Sequence, residues 1–115
     1  MNNDEVRAYA LSMPSVTEEP HHAASSFRVN GKIFATLPLG DEFIHVFVDE
    51  PDRQTAVAIA PDAYEILFWG EKVSGLRIRI SKAKLNDVVA LLHNAWARKA
   101  SKKLASVHHS KSRKR

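Results

Sequence analysis

Residues 26–37 read Ser26-Phe27-Arg28-Val29-Asn30-Gly31-Lys32-Ile33-Phe34-Ala35-Thr36-Leu37, and this stretch decides the fold. Asn30-Gly31 joins two runs rich in β-formers, and both central residues of a type I′ hairpin turn need positive φ, which Asn and Gly tolerate best. With those two as the loop, Val29 is expected opposite Lys32 and Phe27 opposite Phe34, so that an aromatic pair locks the register. Arg28 and Lys32 then flank the tip. Such a protruding hairpin is either a basic wing that meets nucleic acid or plain architecture, and the residues themselves leave both open.

On the N-terminal side, Asn3 is a candidate N-cap, Asp4 and Glu5 fall in the first turn, and Val6, Tyr9, Ala10 and Met13 repeat at helical spacing up to Pro14. Residues 15–24 read as a polar connection containing Thr17, Glu18, Glu19, Pro20 and the His21-His22 pair. Beyond the hairpin, Pro38, Gly40 and Asp41 mark a turn, and residues 43–48 are apolar on both faces except at His45, as expected of a strand near the middle of a sheet. A short alanine-rich helix is expected over residues 52–60, after Pro51 and before Pro61. Residues 62–68 are ambiguous between strand and irregular chain. Leu76, Ile78 and Ile80 then alternate with Arg77 and Arg79, giving a strand with one buried and one basic face. Ser81 is the expected cap of a last, longer helix with an apolar stripe of Leu85, Val88, Val89, Leu92 and Trp96.

The chain has 115 residues, enough for one domain with a real core. Its apolar fraction of 44% and charged fraction of 26% are ordinary for a globular protein. The longest apolar run is far short of a membrane span, and the acidic N-terminus does not read as a signal peptide, so a cytoplasmic, monomeric protein with no membrane partner is expected. Without cysteine there is no disulfide, thiol catalysis or thiolate metal site. The net charge of +4 conceals a gradient: residues 1–65 hold 4 basic and 11 acidic side chains, whereas residues 98–115 hold 8 basic and no acidic ones. The high isoelectric point therefore belongs to the end of the chain and is no evidence that the folded body binds polyanions. From about Ser101 the helical stripe dissolves into Lys, Ser and His, the composition of a disordered tail. The expected organisation is one domain over residues 1–104 and a basic tail over 105–115.

Among candidate sites, Arg28 and Lys32 suit phosphate contact, since cationic groups fix orientation on a nucleic acid without reading its sequence; a solvated hairpin, with Arg28 paired to Glu18 or Glu19, suits them equally. Residues 69–75, bracketed by Gly70 and Gly75, form a candidate second wing carrying Lys72, with Trp69 expected in the core or at its rim and base stacking as the alternative. Arg77 and Arg79 share a strand face and make the best ordered basic feature, with a solvated sheet face as the plain alternative. Lys99, Lys102 and Lys103, with Arg98 and the basic residues that follow, suit nonspecific attachment to a polyanion by counterion release. No catalytic or cofactor-binding residue is expected. Glu18, Glu19, His21 and His22 contain metal-ligand chemistry, but adjacent histidines on an extended chain point apart and no third ligand has a recognisable spacing. His45 reads as a hydrogen-bonded strand histidine, and no serine sits in a nucleophile elbow.

An ordered set of fragments carries a resemblance. Leu11-Ser12-Met13-Pro14 with Thr17-Glu18-Glu19-Pro20-His21 is followed by residues 26–35 of the hairpin; later come Phe68-Trp69-Gly70 with Lys72, Leu76-Arg77-Ile78, and Ala95-Trp96 with Lys99-Ala100. Together these resemble the MmcQ/YjbR-like family of small bacterial proteins, over the first helix to about Leu104. The resemblance implies an α+β fold of the CyaY-like kind, an antiparallel β-sheet with helices packed on one side. It also implies a "double wing" mode in which two loops or hairpins straddle nucleic acid. The basic extension past Leu104 departs from the family pattern. The resulting reading is a non-enzymatic domain that binds nucleic acid, DNA in the first instance, weakly or nonspecifically; the alternative is a protein- or small-ligand-binding module with no DNA role.

Overall fold

The computed structural model describes residues 2–40 and 42–100. Asn30 and Gly31 take φ of 53° and 75°, the positive values that a type I′ turn demands. They join β2 (Ala24–Val29) to β3 (Lys32–Pro38), with Val29 opposite Lys32 as expected. The aromatic pair does not form: Arg28 faces Ile33 and Phe27 faces Ala35, so Phe34 is an extra, unpaired residue in a β-bulge. The bulge gives both Phe34 and Ala35 full burial, which one alternating strand face would not.

The chain runs α1 (Asn3–Ser12), β1 (Val16–His21), β2, β3, β4 (Phe43–Val46), α2 (Glu50–Ile59), β5 (Tyr64–Trp69), β6 (Lys72–Arg79) and α3 (Leu85–Lys99). The strands form one antiparallel sheet in the order β1-β2-β3-β4-β6-β5, so the fold is α+β, with N-terminal, middle and C-terminal helices. Helix α1 is capped by Asn2, not Asn3, in a reciprocal capping box with Glu5. Residues 15–24, read as a connection, contain edge strand β1. Glu and Pro disfavour a strand in isolation, but Pro20 costs no ladder bond on an edge with a free side. Residues 62–68 resolve as most of β5. Helix α3 starts at Leu85 behind Lys84, which makes no side-chain cap, so Ser81 belongs to the preceding turn.

Residues directly opposite one another on antiparallel strands share a face. One row, Phe27, Ala35, Val46, Leu76 and Ile66, crosses five strands. Together with Val29, Ile44 and Ile78 it packs against Val6 and Ala10 of α1 and Val88, Leu92, Ala95 and Trp96 of α3. Each fully buried Val, Leu or Ile there contributes about 1.5–3 kcal/mol. Trp96, the largest fully buried side chain, also donates its indole N–H to the Pro14 carbonyl at 3.1 Å, tying α3 to the end of α1. Arg7 of α1 meets Glu18 of β1 at 3.0 Å, and Ser25 donates to the same carboxylate at 2.6 Å. Among the described residues, no helix is long and apolar enough to cross a membrane. The expected tail, residues 105–115, lies outside the described residues.

Candidate nucleic-acid interface

The opposite face of the sheet carries a second row, Glu19, Ser26, Thr36, His45, Arg77 and Glu65, one residue from each strand. β4 stops at Val46, while the neighbouring strands β3 and β6 belong to hairpins that project past it. The second hairpin turns at Gly70-Glu71, with Trp69 opposite Lys72, and Gly70 has φ of 62° at the first central position of the turn. Residues 72–75, expected in a loop, are therefore strand. This hairpin also has a bulge: Leu67 faces Gly75 and Phe68 faces Val73, leaving Ser74 unpaired. Both hairpins thus bend near their projecting ends.

Phe47 is wedged between them. Its N–H donates to the carbonyl of the bulged Phe34 at 3.0 Å. On the other side Gly75 packs so closely that a Cβ there would lie 2.4 Å from the Val46 carbonyl oxygen and 3.0 Å from the Phe47 Cα. The Phe47 carbonyl in turn accepts from Arg98 Nη1 at 2.6 Å, which fixes the C-terminal end of α3 against the space between the hairpins.

A groove of about 660 Å³ follows from this arrangement. Its lining comes from Ile33 and Thr36 of β3, His45 and Phe47, Leu67, Phe68 and Trp69 of β5, Ser74 of β6, Arg98 and Lys99 of α3, and the His21–Ala24 turn beside Pro38 and Leu39. Much of that surface is apolar. The ionisable residues among these are Arg98, Lys99, His21, His22 and His45, and among the described residues no carboxylate lines the groove, although residues 1–100 hold eleven basic and thirteen acidic side chains. Burial lowers the His45 pKa, Arg77 lowers it further, and Glu65 partly opposes them. His45 is therefore neutral at neutral pH, offering one donor and one acceptor, and the groove's positive charge resides on Arg98 and Lys99. Trp69 is 76% exposed and Phe68 57% exposed. The expectation of Trp69 in the core or at its rim is thus corrected: a side chain next to a two-residue hairpin turn projects beyond the layer that the helices cover.

The predicted basic residues are spread over the molecule rather than gathered. Arg28 is half-buried and donates from Nε to Ser26 Oγ at 3.0 Å, not to Glu18 or Glu19. Lys32 and Lys72 are exposed beside the two turns. The Arg77 and Arg79 guanidinium groups lie 3.9 and 4.8 Å from the centroid of the Phe43 ring, and Arg77 Nε is 3.5 Å from Glu65 Oε1. Asp62 and Glu65 line the same hollow as these two arginines, so the basic strand is partly neutralised, and neither arginine lines the groove. Lys99 does line it; Lys102 and Lys103 lie outside the described residues. Sequence reasoning grouped Arg98 with the tail and did not single out Phe47. A legible signal was available in the four apolar residues Ile66-Leu67-Phe68-Trp69 running directly into Gly70, more than one strand face can bury. Among the described residues, no three His, Cys, Asp or Glu side chains are grouped to hold a metal, and the His21 and His22 rings sit edge to face at 4.6 Å.

A family model described as YjbR matches residues 11–98, from the end of α1 to the end of α3. No curated protein and no solved structure matches the chain.

Proposed function

For this chain, which belongs to the YjbR family, we propose a non-catalytic role in binding nucleic acid, with the groove between the two hairpins as the contact surface. One observation carries the reading: in a body with more acidic than basic residues, no carboxylate among the described residues lines the groove, whereas Arg98 and Lys99 do. Such segregation raises the local concentration of a polyanion against an otherwise repulsive surface. Lys32 and Lys72 on the two wings add phosphate contacts that orient the ligand without reading bases, whereas Arg28 and Arg79 lie outside the groove. Arg77 contributes less, because Glu65 already faces it. Lys102, Lys103 and the basic residues after them supply further sequence-independent attraction to DNA. On this reading the protein acts as a cytoplasmic monomer.

The test is anisotropy titration of labelled oligonucleotides across a salt series. Three full-length proteins are compared: wild type, Arg98→Gln/Lys99→Gln, and a variant with the six basic residues after position 100 changed to Gln. Each neutralised phosphate contributes about −0.9 to the salt slope on duplex DNA and about −0.7 on single strands. The groove variant is expected to flatten the slope by roughly 1.4–1.8 on that scale and to weaken binding, and the tail variant to retain measurable binding. If the groove variant binds as wild type does while the tail variant has no affinity, the affinity is generic polycation behaviour and the reading fails. A groove of 660 Å³ also lies within the range of small-molecule sites, roughly 300–1,000 Å³, and this favours a planar anionic small ligand as the second reading.

A further inference from the structure

The composition of the groove discriminates between forms of nucleic acid. A duplex presents phosphates outward and hides the faces of its bases. Its backbone would have to lie on Ile33, Phe47 and Leu67, where phosphate loses hydration and gains no partner. An unpaired strand presents both chemistries: flat apolar base faces, and a charged backbone that can turn toward solvent and the cations. We infer that the groove takes single-stranded nucleic acid, with bases stacked on Trp69 and the backbone directed to Arg98 and Lys99.

This inference rests on the nucleic-acid reading above and deepens it. Three features support it. Trp69, 76% exposed, opens into the groove, while its neighbour Phe68, 57% exposed, borders the groove and also lines the hollow beside α2 with Ile66 and Val73. Stacking on such side chains tolerates any base, because every base has a π-face. Arg98 and Lys99 line the groove and, among the described residues, no carboxylate does, so charge complementarity is to an anionic chain. Thr36, His45 and Ser74 supply hydrogen-bonding groups along the floor that can meet base edges, which a duplex keeps paired.

The full-length protein is titrated with a twelve-nucleotide oligo-dT, a twelve-nucleotide oligo-rU and a twelve-base-pair DNA duplex at one low salt concentration, read by anisotropy and by intrinsic tryptophan emission. Trp96 is fully buried and Trp69 is exposed, so quenching by a ligand reports Trp69. Both single strands are expected to bind more tightly than the duplex and to quench the emission. Trp69→Ala is expected to weaken single-strand binding roughly tenfold, about 1.4 kcal/mol, and to leave duplex binding unchanged, while Trp69→Phe retains most of the affinity. A duplex that binds as well as the single strands, with Trp69→Ala affecting neither, overturns the single-strand inference and leaves nucleic-acid binding standing. If none of the three probes binds, the nucleic-acid reading itself falls, and this inference with it.

Discussion

Gly75 is where the fold and the groove meet, and replacing it by Ala gives a sharp test of that junction. The added methyl carbon would lie 2.4 Å from the Val46 carbonyl oxygen, 3.0 Å from the Phe47 Cα and 3.1 Å from the Phe47 ring. The nearest two are backbone atoms of adjacent residues, so no rotamer change relieves the clash; β6 must shift away from β4. Overpacking of this kind costs about 1–3 kcal/mol, and a rigid obstacle places Gly75→Ala near the top of that range. Against a total stability of about 5–15 kcal/mol, that is a large fraction. At about 4 °C per kcal/mol for a chain of this size, Tm falls by roughly 10 °C. Urea unfolding followed by circular dichroism measures the loss, expected as a lower midpoint with an unchanged m-value. Gly31 is the control: a Cβ there meets nothing within 4 Å, but φ is +75°, so Gly31→Ala costs about 1–2 kcal/mol through backbone strain alone. Asn tolerates positive φ, so Gly31→Asn should recover most of that loss, whereas Gly75→Asn should not. A Gly75→Ala midpoint within about 0.5 kcal/mol of wild type would refute the close packing of Gly75 against the Val46–Phe47 backbone.

Two further predictions concern titrating groups. The folded pKa of His45 lies below its ordinary value of 6.5, so the unfolded chain binds the proton more readily. The stability associated with neutral His45 is complete above about pH 6.5 and declines as pH falls through the folded pKa. The urea midpoint of His45→Gln should therefore drop less than that of wild type between about pH 7.5 and about pH 5, and equal drops would show that His45 is not desolvated. Tyr64 is 3% exposed with an unpartnered hydroxyl, and burial, with a smaller effect from Asp87, pushes its pKa up to about 12. Tyr64→Phe removes an unsatisfied polar atom and should leave neutral-pH stability unchanged or raise it by up to about 1 kcal/mol. The wild type should lose stability as pH rises from the ordinary tyrosine value of 10.0 toward about 12, and Tyr64→Phe should reduce that loss; a destabilised variant at neutral pH would mean that the hydroxyl has a partner.

The elements legible in the sequence were those whose own residues impose geometry. Asn30-Gly31 dictates a turn, Leu76-Arg77-Ile78-Arg79 dictates a two-faced strand, and the stripe through Val88, Leu92 and Trp96 dictates a helix on the core. β1 escaped because its stability comes from β2, not from Thr17-Glu18-Glu19-Pro20; a weak edge strand is assigned by the neighbour that pairs with it. The bulges at Phe34 and Ser74 escaped for a related reason. Alternation predicts which face a residue takes until an extra residue resets it, and nothing local announces the extra residue. That reset displaced the expected Phe27–Phe34 pair. At the site, single residues were legible as basic, but their usefulness depends on neighbours far along the chain. Arg77 is faced by Glu65 across the β5–β6 hairpin, and Arg98 reaches the Phe47 carbonyl fifty-one residues away.

The placement of charge separates affinity from selectivity. Carboxylates occupy helix starts, with Asp4 and Glu5 in the first turn of α1, Glu50 and Asp52 in that of α2 and Asp87 in that of α3, where they complement the positive end of each helix dipole. Arg98 and Lys99 lie in the last turn of α3, whose partial negative charge offsets some of their attraction for phosphate. Two such cations hold a polyanion weakly. The six basic residues after position 100 continue from this end of α3, so a strand engaged by one region meets the other at raised effective concentration. Their attraction does not distinguish paired from unpaired bases, whereas the apolar floor and Trp69 do. Neutralising those six residues should therefore weaken single-strand and duplex binding by a common factor and preserve the ratio, while Trp69→Ala should change the ratio and leave the salt slope unchanged. If the tail variant altered the ratio instead, the discrimination would reside in the basic segment and not in the groove.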